Sequence, residues 1–393
     1  MSQPVNSSAS FCAAAGPAAG DAGAACAPPY PPAGLDVAVV GATGAVGAEF
    51  LALLAERALP VRRLRLLASA RSAGRRIDVP GIGPCTVEAL TEQSLAGADA
   101  VFLCAGSGIS SACAPAAIRA GAWVIDNSSA FRADPGALLV LPEVNGAELD
   151  TAVRACTGPR IVAVPNCSTI IALLAVSPLR ALGRVSRMVV STYQAVSGAG
   201  AAAMAELEQQ ARDWSEGRPL SSPVFGRPAL FNVFSHNSAI GGDGSNAEER
   251  KLQVETQRLW SDTSVRIAAT CVRVPVLRAH SESIAVEFGA PVAATHDAAE
   301  ARVRAALAGA PGIEIVDDRS SNSFPEPRHA AGRDPVLVGR IRADRSLEPG
   351  RGVLLFVAGD QLRVGAALTG IRIAERLAHS GAFARASRGE QRP

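Results

Sequence analysis

The stretch "LDVAVVGATGAVGAEFLALLAE" (35–56) constrains the fold more than any other part of the chain. An apolar run over 35–40 meets Gly41, Gly44 and Gly47, and an amphipathic segment with helical periodicity follows. Strand, glycine turn and helix form the first unit of a dinucleotide-binding fold. The glycines allow a tight turn and close backbone approach, and the helix N-terminus faces a pyrophosphate. Their position between strand and helix makes the glycines more specific than an isolated triplet. The next strand, "LRLLA", is followed by Ser69, Arg71 and Ser72 instead of a carboxylate that would hold a ribose 2′-hydroxyl. Those side chains suit a 2′-phosphate, so NADP is expected in preference to NAD.

The alternation continues with strands in "ADAVFLCAG" (98–106) and "AWVIDNS" (122–128) and a helix in "ISSACAPAAIRAG" between them. This predicts a parallel, doubly wound sheet over 35–165. After "LLVLPEVN" the rhythm changes. The β-type runs "RMVVSTYQAV", "VRIAATCVRVPVL" and "SIAVEFGA" predict a mixed sheet and an α+β second domain over 166–355. A periodic helix, "AALTGIRIAERLAHSG", is expected to return to the first domain within 356–385. Residues 1–34, rich in Ala, Gly, Pro and Ser, read as a disordered extension. They lack the basic start and compact leucine-rich core of a secretory signal. A net charge of +2 and 4% aromatic residues give no basis for a general nucleic-acid or membrane-surface binder. No apolar run is long enough to span a bilayer.

The eight cysteines are scattered and form no CxxC pair, so neither a zinc site nor a disulfide framework is indicated, and a reducing cytoplasm is expected. One cysteine has a distinctive setting. In "RIVAVPNCSTIIALLAV", Pro165 should end a strand, and the apolar run after Thr169 should be helical. Cys167 then lies at a helix N-terminus, with Ser168 and Thr169 as cap-type side chains. The dipole there is expected to lower the thiol pKa, and backbone N–H groups can hold an oxyanion. The competing interpretation is a small buried hydrophobe. Of five histidines, His280 stands out: it ends an apolar run and follows Arg273 and Arg278, an arrangement suited to proton transfer beside a bound carboxylate, although a lone histidine at a strand end is more often structural. Gln194 in "STYQAVSGAG" either orients a ligand or pairs with backbone. Lys251 is the only lysine among 38 basic residues. With Glu248 it forms either a surface pair or part of a polar site.

Taken together, "VAVVGATGAVGAEFL", "LLASARSAG", "DNSSAFRADP", "LPEVN", "PNCSTI", "STYQAVSGAG", "RVPVLRAHSE" and "GDQLRVGAA" resemble the aspartate-semialdehyde dehydrogenase family from about residue 35 to 380. The resemblance implies a Rossmann-type NADP-binding domain and an α+β catalytic and dimerisation domain like that of glyceraldehyde-3-phosphate dehydrogenase. It implies Cys167 as the acyl-forming nucleophile and His280 as the acid–base residue. Gln194, Arg273, Glu248 and Asn166 would meet the amino-acid substrate, and Arg132 and Lys251 the phosphate. NADP would rest on the turn Gly41, Thr43, Gly44, Ala45, Val46 and Gly47, on Ser69, Arg71 and Ser72, on Ser197 and Gly198, and near Gln361. No metal is implied. The implied reaction reduces L-aspartyl-4-phosphate to L-aspartate 4-semialdehyde through a cysteine thioester in a homodimer, feeding lysine, threonine and methionine synthesis.

Three features depart from the family pattern: residues 231–245 are richer in Asn and Gly than the family's segment, Thr369 replaces an asparagine common there, and the proline-rich N-terminal tail lies outside the pattern. N-acetylglutamyl-phosphate reductase shares the fold and thioester chemistry, but "NCST" and "YQAVSGAG" fit the aspartate enzyme better. A catalytically silent NADP-binding paralogue is the alternative from a different class.

Overall fold

The structure, a computed structural model, describes residues 30–31, 33–155 and 160–383. The extension predicted over 1–34 lies almost wholly outside these residues, as do Cys12, Cys26, Cys156 and the predicted end of the last segment at 385.

The first unit holds β1 (Leu35–Val40), α1 (Ala45–Glu56), β2 (Val61–Ala68), β3 (Arg76–Val79), β4 (Gly83–Ala89), β5 (Ala100–Leu103), α2 (Ser107–Arg119), β6 (Trp123–Asp126), β7 (Leu138–Leu139), α3 (Pro142–Ala155) and β8 (Ile161–Ala163). Its eight strands run in the order β3-β4-β2-β1-β5-β6-β8-β7. The sheet is parallel from β4 to β7, as the alternating pattern predicts. β3 departs from that expectation: it folds back antiparallel on β4, because only a short turn over residues 80–82 separates them and a parallel crossover needs a longer connection. The order reverses direction between β1 and β5, so the helices that follow these two strands leave a crevice at the strands' C-terminal ends.

The second unit holds α4 (Cys167–Val176), β9 (Val185–Gln194), α5 (Ala201–Ser215), β10 (Phe234–Ser235), α6 (Ala247–Leu259), β11 (Arg266–Arg273), β12 (His280–Phe288), α7 (His296–Leu307), β13 (Ile313–Ile315), α8 (Pro327–Ala330), β14 (Val336–Ala343) and β15 (Gly352–Gly359). Its seven-stranded mixed sheet runs β10-β11-β9-β12-β15-β14-β13. Along β9, Met188, Val190, Thr192 and Gln194 are buried, while Val189, Ser191 and Tyr193 point to the outer face. That period of two leaves one side packed against α4, α6 and α7 and the other open. Tyr193 stands 40% exposed on the open side, beside the Phe356 ring.

After β15 the chain forms a π-helical turn (Arg363–Ala367) and then α9 (Leu368–His379). α9 packs on α1, α3 and β6 of the first unit. Arg372 and Arg376 pair with Glu143 and Asp150 on α3. No helix among the described residues is long and apolar enough to cross a membrane.

Candidate active site

A cleft of about 590 Å³ lies between the units. On the first-unit side, Gly44 caps α1 without a side-chain acceptor, and Ala45 and Val46 line the cleft. The second helix start, Gly106 and Ser107, lines it too, again with no side-chain cap. Two helix N-termini thus turn their backbone donors toward one space, an arrangement suited to a pyrophosphate. Gly41 and Gly47 shape the turn from beneath: Gly41 has φ +83°, and a side chain on Gly47 would strike the Gly41 carbonyl. Thr43 is half-buried and outside the cleft lining. Ser69, Arg71 and Ser72 follow β2, whose Leu67 carbonyl accepts from Gly41 N; they too lie outside the lining.

Across the cleft, α4 begins at Cys167, and its cap is Asn166 instead of Ser168 or Thr169. Asn166 Oδ1 accepts from Ser168 N at 3.0 Å, while the Ser168 and Thr169 hydroxyls are buried without partners. The Asn166 backbone N–H donates to Glu255 at 2.6 Å, and its side-chain amide donates to Glu248 at 2.8 Å. Cys167 is half-buried and faces the cleft. Burial, followed by the Glu248 charge, pushes its pKa up to about 12, against the opposing pull of Arg132, Arg273 and Lys251.

The remaining groups come from one end of the second sheet, where β9 and β11 end and β12 begins. Gln194 is the last residue of β9 and Arg273 the last of β11; His280 opens β12 instead of ending an apolar strand. His280 is fully buried, and Ala195 N–H donates to its Nδ1 at 3.0 Å. The proton of the neutral ring therefore resides on Nε2, which has no partner among the described residues. Burial, followed by Arg273, holds the ring well below its ordinary pKa. In this tautomer the His280 Nε2–H donates a hydrogen bond into the site.

Glu248 is the hub. It accepts from Asn166, from Gln194 at 3.2 Å and from Lys251 at 2.9 Å. Burial alone would raise its pKa, but Lys251, His236 and these hydrogen bonds hold it far below the carboxylate range. The Glu248–Lys251 pair faces the site and is not a surface pair. Arg132 donates to the Val164 and Asn127 carbonyls and lies 3.6 Å from Glu255, so two cations border the cleft near Cys167. Ser197 and Gln361 hydrogen-bond each other, and Gln361 accepts from Ala279 N at 2.9 Å. Gly198 lies directly on Arg273 and His280: a Cβ there would come 2.8 Å from Arg273 Nη1 and 3.2 Å from the imidazole. Thr369 points away, its hydroxyl donating to the Val364 carbonyl inside the helix. Among the described residues, no His, Cys, Asp or Glu group is arranged to hold a metal.

The sequence reading missed three contributors. Glu255 holds Asn166 from α6, and His236 contacts Arg273. Arg278, noted only as a neighbour of His280, bridges Asp360 and Glu49 of α1 at 2.6 Å each. Helical spacing marks Glu255 as seven residues after Glu248, on the same face. The other two depend on tertiary contacts.

The family model described as "Semialdehyde dehydrogenase, NAD binding domain" matches residues 36–152, and "Semialdehyde dehydrogenase, dimerisation domain" matches 176–364. Aspartate-semialdehyde dehydrogenase of Synechocystis sp. is 44% identical over 89% of this chain and 99% of its own, and that of Bacillus subtilis is 40% identical over 88% and 97%. The crystal structure of Vibrio cholerae aspartate semialdehyde dehydrogenase II complexed with ASA superposes with TM-score 0.80 at 38% identity, over 88% of this chain and 98% of that one.

Proposed function

The chain belongs to the aspartate-semialdehyde dehydrogenase family, and on that premise we propose that it reduces L-aspartyl-4-phosphate to L-aspartate 4-semialdehyde through a thioester on Cys167. The observation that carries this reading is a single one. Cys167, at the start of α4, opens onto the same cleft as the Gly44–Val46 turn, with His280 and Arg273 beside it.

Arg273 holds the substrate α-carboxylate, Glu248 the α-amino group, and Gln194 and Asn166 fix the orientation of these groups. Arg132 and Lys251 take the phosphate. Cys167 Sγ attacks the acyl carbon, the C–O bond to phosphate breaks, and the departing phosphate carries off the thiol proton. Bound nicotinamide supplies the hydride that reduces the thioester. As the carbonyl oxygen gains charge, the His280 Nε2–H donates to it, and collapse of the thiohemiacetal releases the aldehyde and restores Cys167. The exposed Arg71 with Ser69 and Ser72 supports NADP over NAD. A second copy of the chain docks on the open face of the second sheet around Tyr193 and Phe356, and the enzyme acts in the reducing cytoplasm, where the thiol survives.

The test follows absorbance at the reduced nicotinamide band with purified protein, aspartate semialdehyde, and NADP or NAD, with and without phosphate. Expected is NADPH formation that requires phosphate and is faster with NADP. Turnover without phosphate would remove Arg132 and Lys251 from their roles. NADP binding without any turnover would instead identify a silent paralogue.

A further inference from the structure

The loop after β10 belongs to the segment whose composition departs from the family, and it reaches into the site. β10 pairs antiparallel with β11, placing Phe234 opposite Arg273, and His236 N–H donates to the Cys271 carbonyl at 2.9 Å. The loop is thus pinned to the strand that carries Arg273. His236 Nε2 lies 2.8 Å from Arg273 Nη2; Asn237 Oδ1 accepts from Arg273 Nε at 3.2 Å, and the Ala195 carbonyl accepts from Nη1 at 2.9 Å. A guanidinium only donates, so His236 Nε2 is the acceptor and the ring proton is on Nδ1. Ser238 Oγ lies 3.1 Å from that Nδ1 and receives the proton. Ser238 N–H, 3.2 Å from the same nitrogen, goes unserved, because the permanent charge on Arg273 decides the tautomer. Ser238 Oγ also accepts from the Glu248 backbone N–H at 3.3 Å.

We propose that His236 is a positioning residue that sets affinity for the substrate carboxylate, holding the Arg273 guanidinium through Nε2 while Ser238 ties both to the first turn of α6 beside Glu248. Arg273 has five N–H donors, and three are committed to protein acceptors. One remains on each terminal nitrogen for a carboxylate. Burial, followed by Arg273, lowers the His236 pKa to about 4, so the ring stays a neutral acceptor at physiological pH. Glu248 is the strongest charge acting on Arg273, and a guanidinium released from His236 and drawn to Glu248 would be lost to one end of the substrate and would occupy the group meant for the other.

The inference rests on the assignment of Arg273 and Glu248 to the amino-acid end of the substrate. Its test is steady-state kinetics of the full-length wild type, His236→Leu and His236→Gln. If the wild type does not turn over aspartate semialdehyde, the functional reading fails before any variant is compared. Given an active wild type, His236→Leu raises KM for aspartate semialdehyde on the order of tenfold, with little change in KM for phosphate or NADP. His236→Gln, whose Oε1 can accept where Nε2 does, restores most of the loss. Should His236→Leu not fold, His236→Asn, too short to reach Arg273, replaces it with the same expectation. An unchanged KM for the semialdehyde, equal rises in all three constants, or a glutamine variant no better than the others would each overturn the proposal.

Discussion

Burial, followed by the Glu248 charge, pushes the Cys167 pKa up to about 12, and this has a measurable consequence. Below its pKa the thiolate fraction of a thiol rises about tenfold per pH unit, so iodoacetamide should label Cys167 slowly at neutral pH and about tenfold faster for each unit up to pH 9. Peptide mass spectrometry of labelled protein reads this directly, and a rate already level at pH 7 would show a preformed thiolate. The direction depends on distance from the local sequence. The helix terminus is visible in six letters of "PNCSTI", and it lowers the pKa. What outweighs it is burial and the charge of Glu248, a residue far along the chain, and neither can be read around Cys167 itself. The same reason hid His236: its place beside Arg273 exists only because two residues of β10 pair with β11. Cys167, Gln194, Arg273 and His280 were legible because each sits at the boundary of a strand or helix, and such boundaries leave marks in the sequence.

At the scale of elements, the site is a meeting of ends. β9, β11 and β12 bring Gln194, Arg273 and His280 together because β11 is parallel to β9 and β12 antiparallel to it, so two C-termini and one N-terminus converge. The turn after β9 must then pass directly over Arg273 and His280, and Gly198 is the residue that allows it. Gly198→Ala should therefore displace the guanidinium or the imidazole and lower kcat/KM by roughly tenfold to a hundredfold, since misplacement by about 1 Å can cost that much. The melting temperature should change little by comparison. Activity within twofold of wild type would mean that these side chains yield without cost. The parallel order of most of the first sheet could be read from alternating strands and helices. The antiparallel β3 could not, because "RRIDVPGIGPCTVEAL" contains no helix-length connection and no strong apolar period.

Across the whole molecule, the two units are joined by charge as well as by packing. Arg278, two residues before His280, grips Glu49 on α1, and Arg363 reaches Glu49, Glu56 and Asp334. The helix whose N-terminus lines the cleft is thus tied directly to the strand that starts with His280. α9 makes the second connection. Leu368, Ile371, Ile373 and Leu377 are fully buried, and at about 1.5–3 kcal/mol each they contribute roughly 6–12 kcal/mol, comparable with the ~5–15 kcal/mol net stability of a typical domain. A chain ending at Ala367 should accordingly fail to give soluble protein that binds NADP, as judged by size-exclusion chromatography and dinucleotide titration. A soluble, NADP-binding truncation would show that the first unit closes without α9. The position of α9 at the far end of the chain also sets a timetable for the ribosome. All strands of the first sheet have been synthesised by Ala163, yet the helix that covers α1, α3 and β6 starts at Leu368. At about 5–20 residues per second the intervening stretch takes about 10–40 s to make. For that interval the nascent chain carries a nearly complete sheet with part of its apolar surface uncovered, the period in which a chaperone has most to protect.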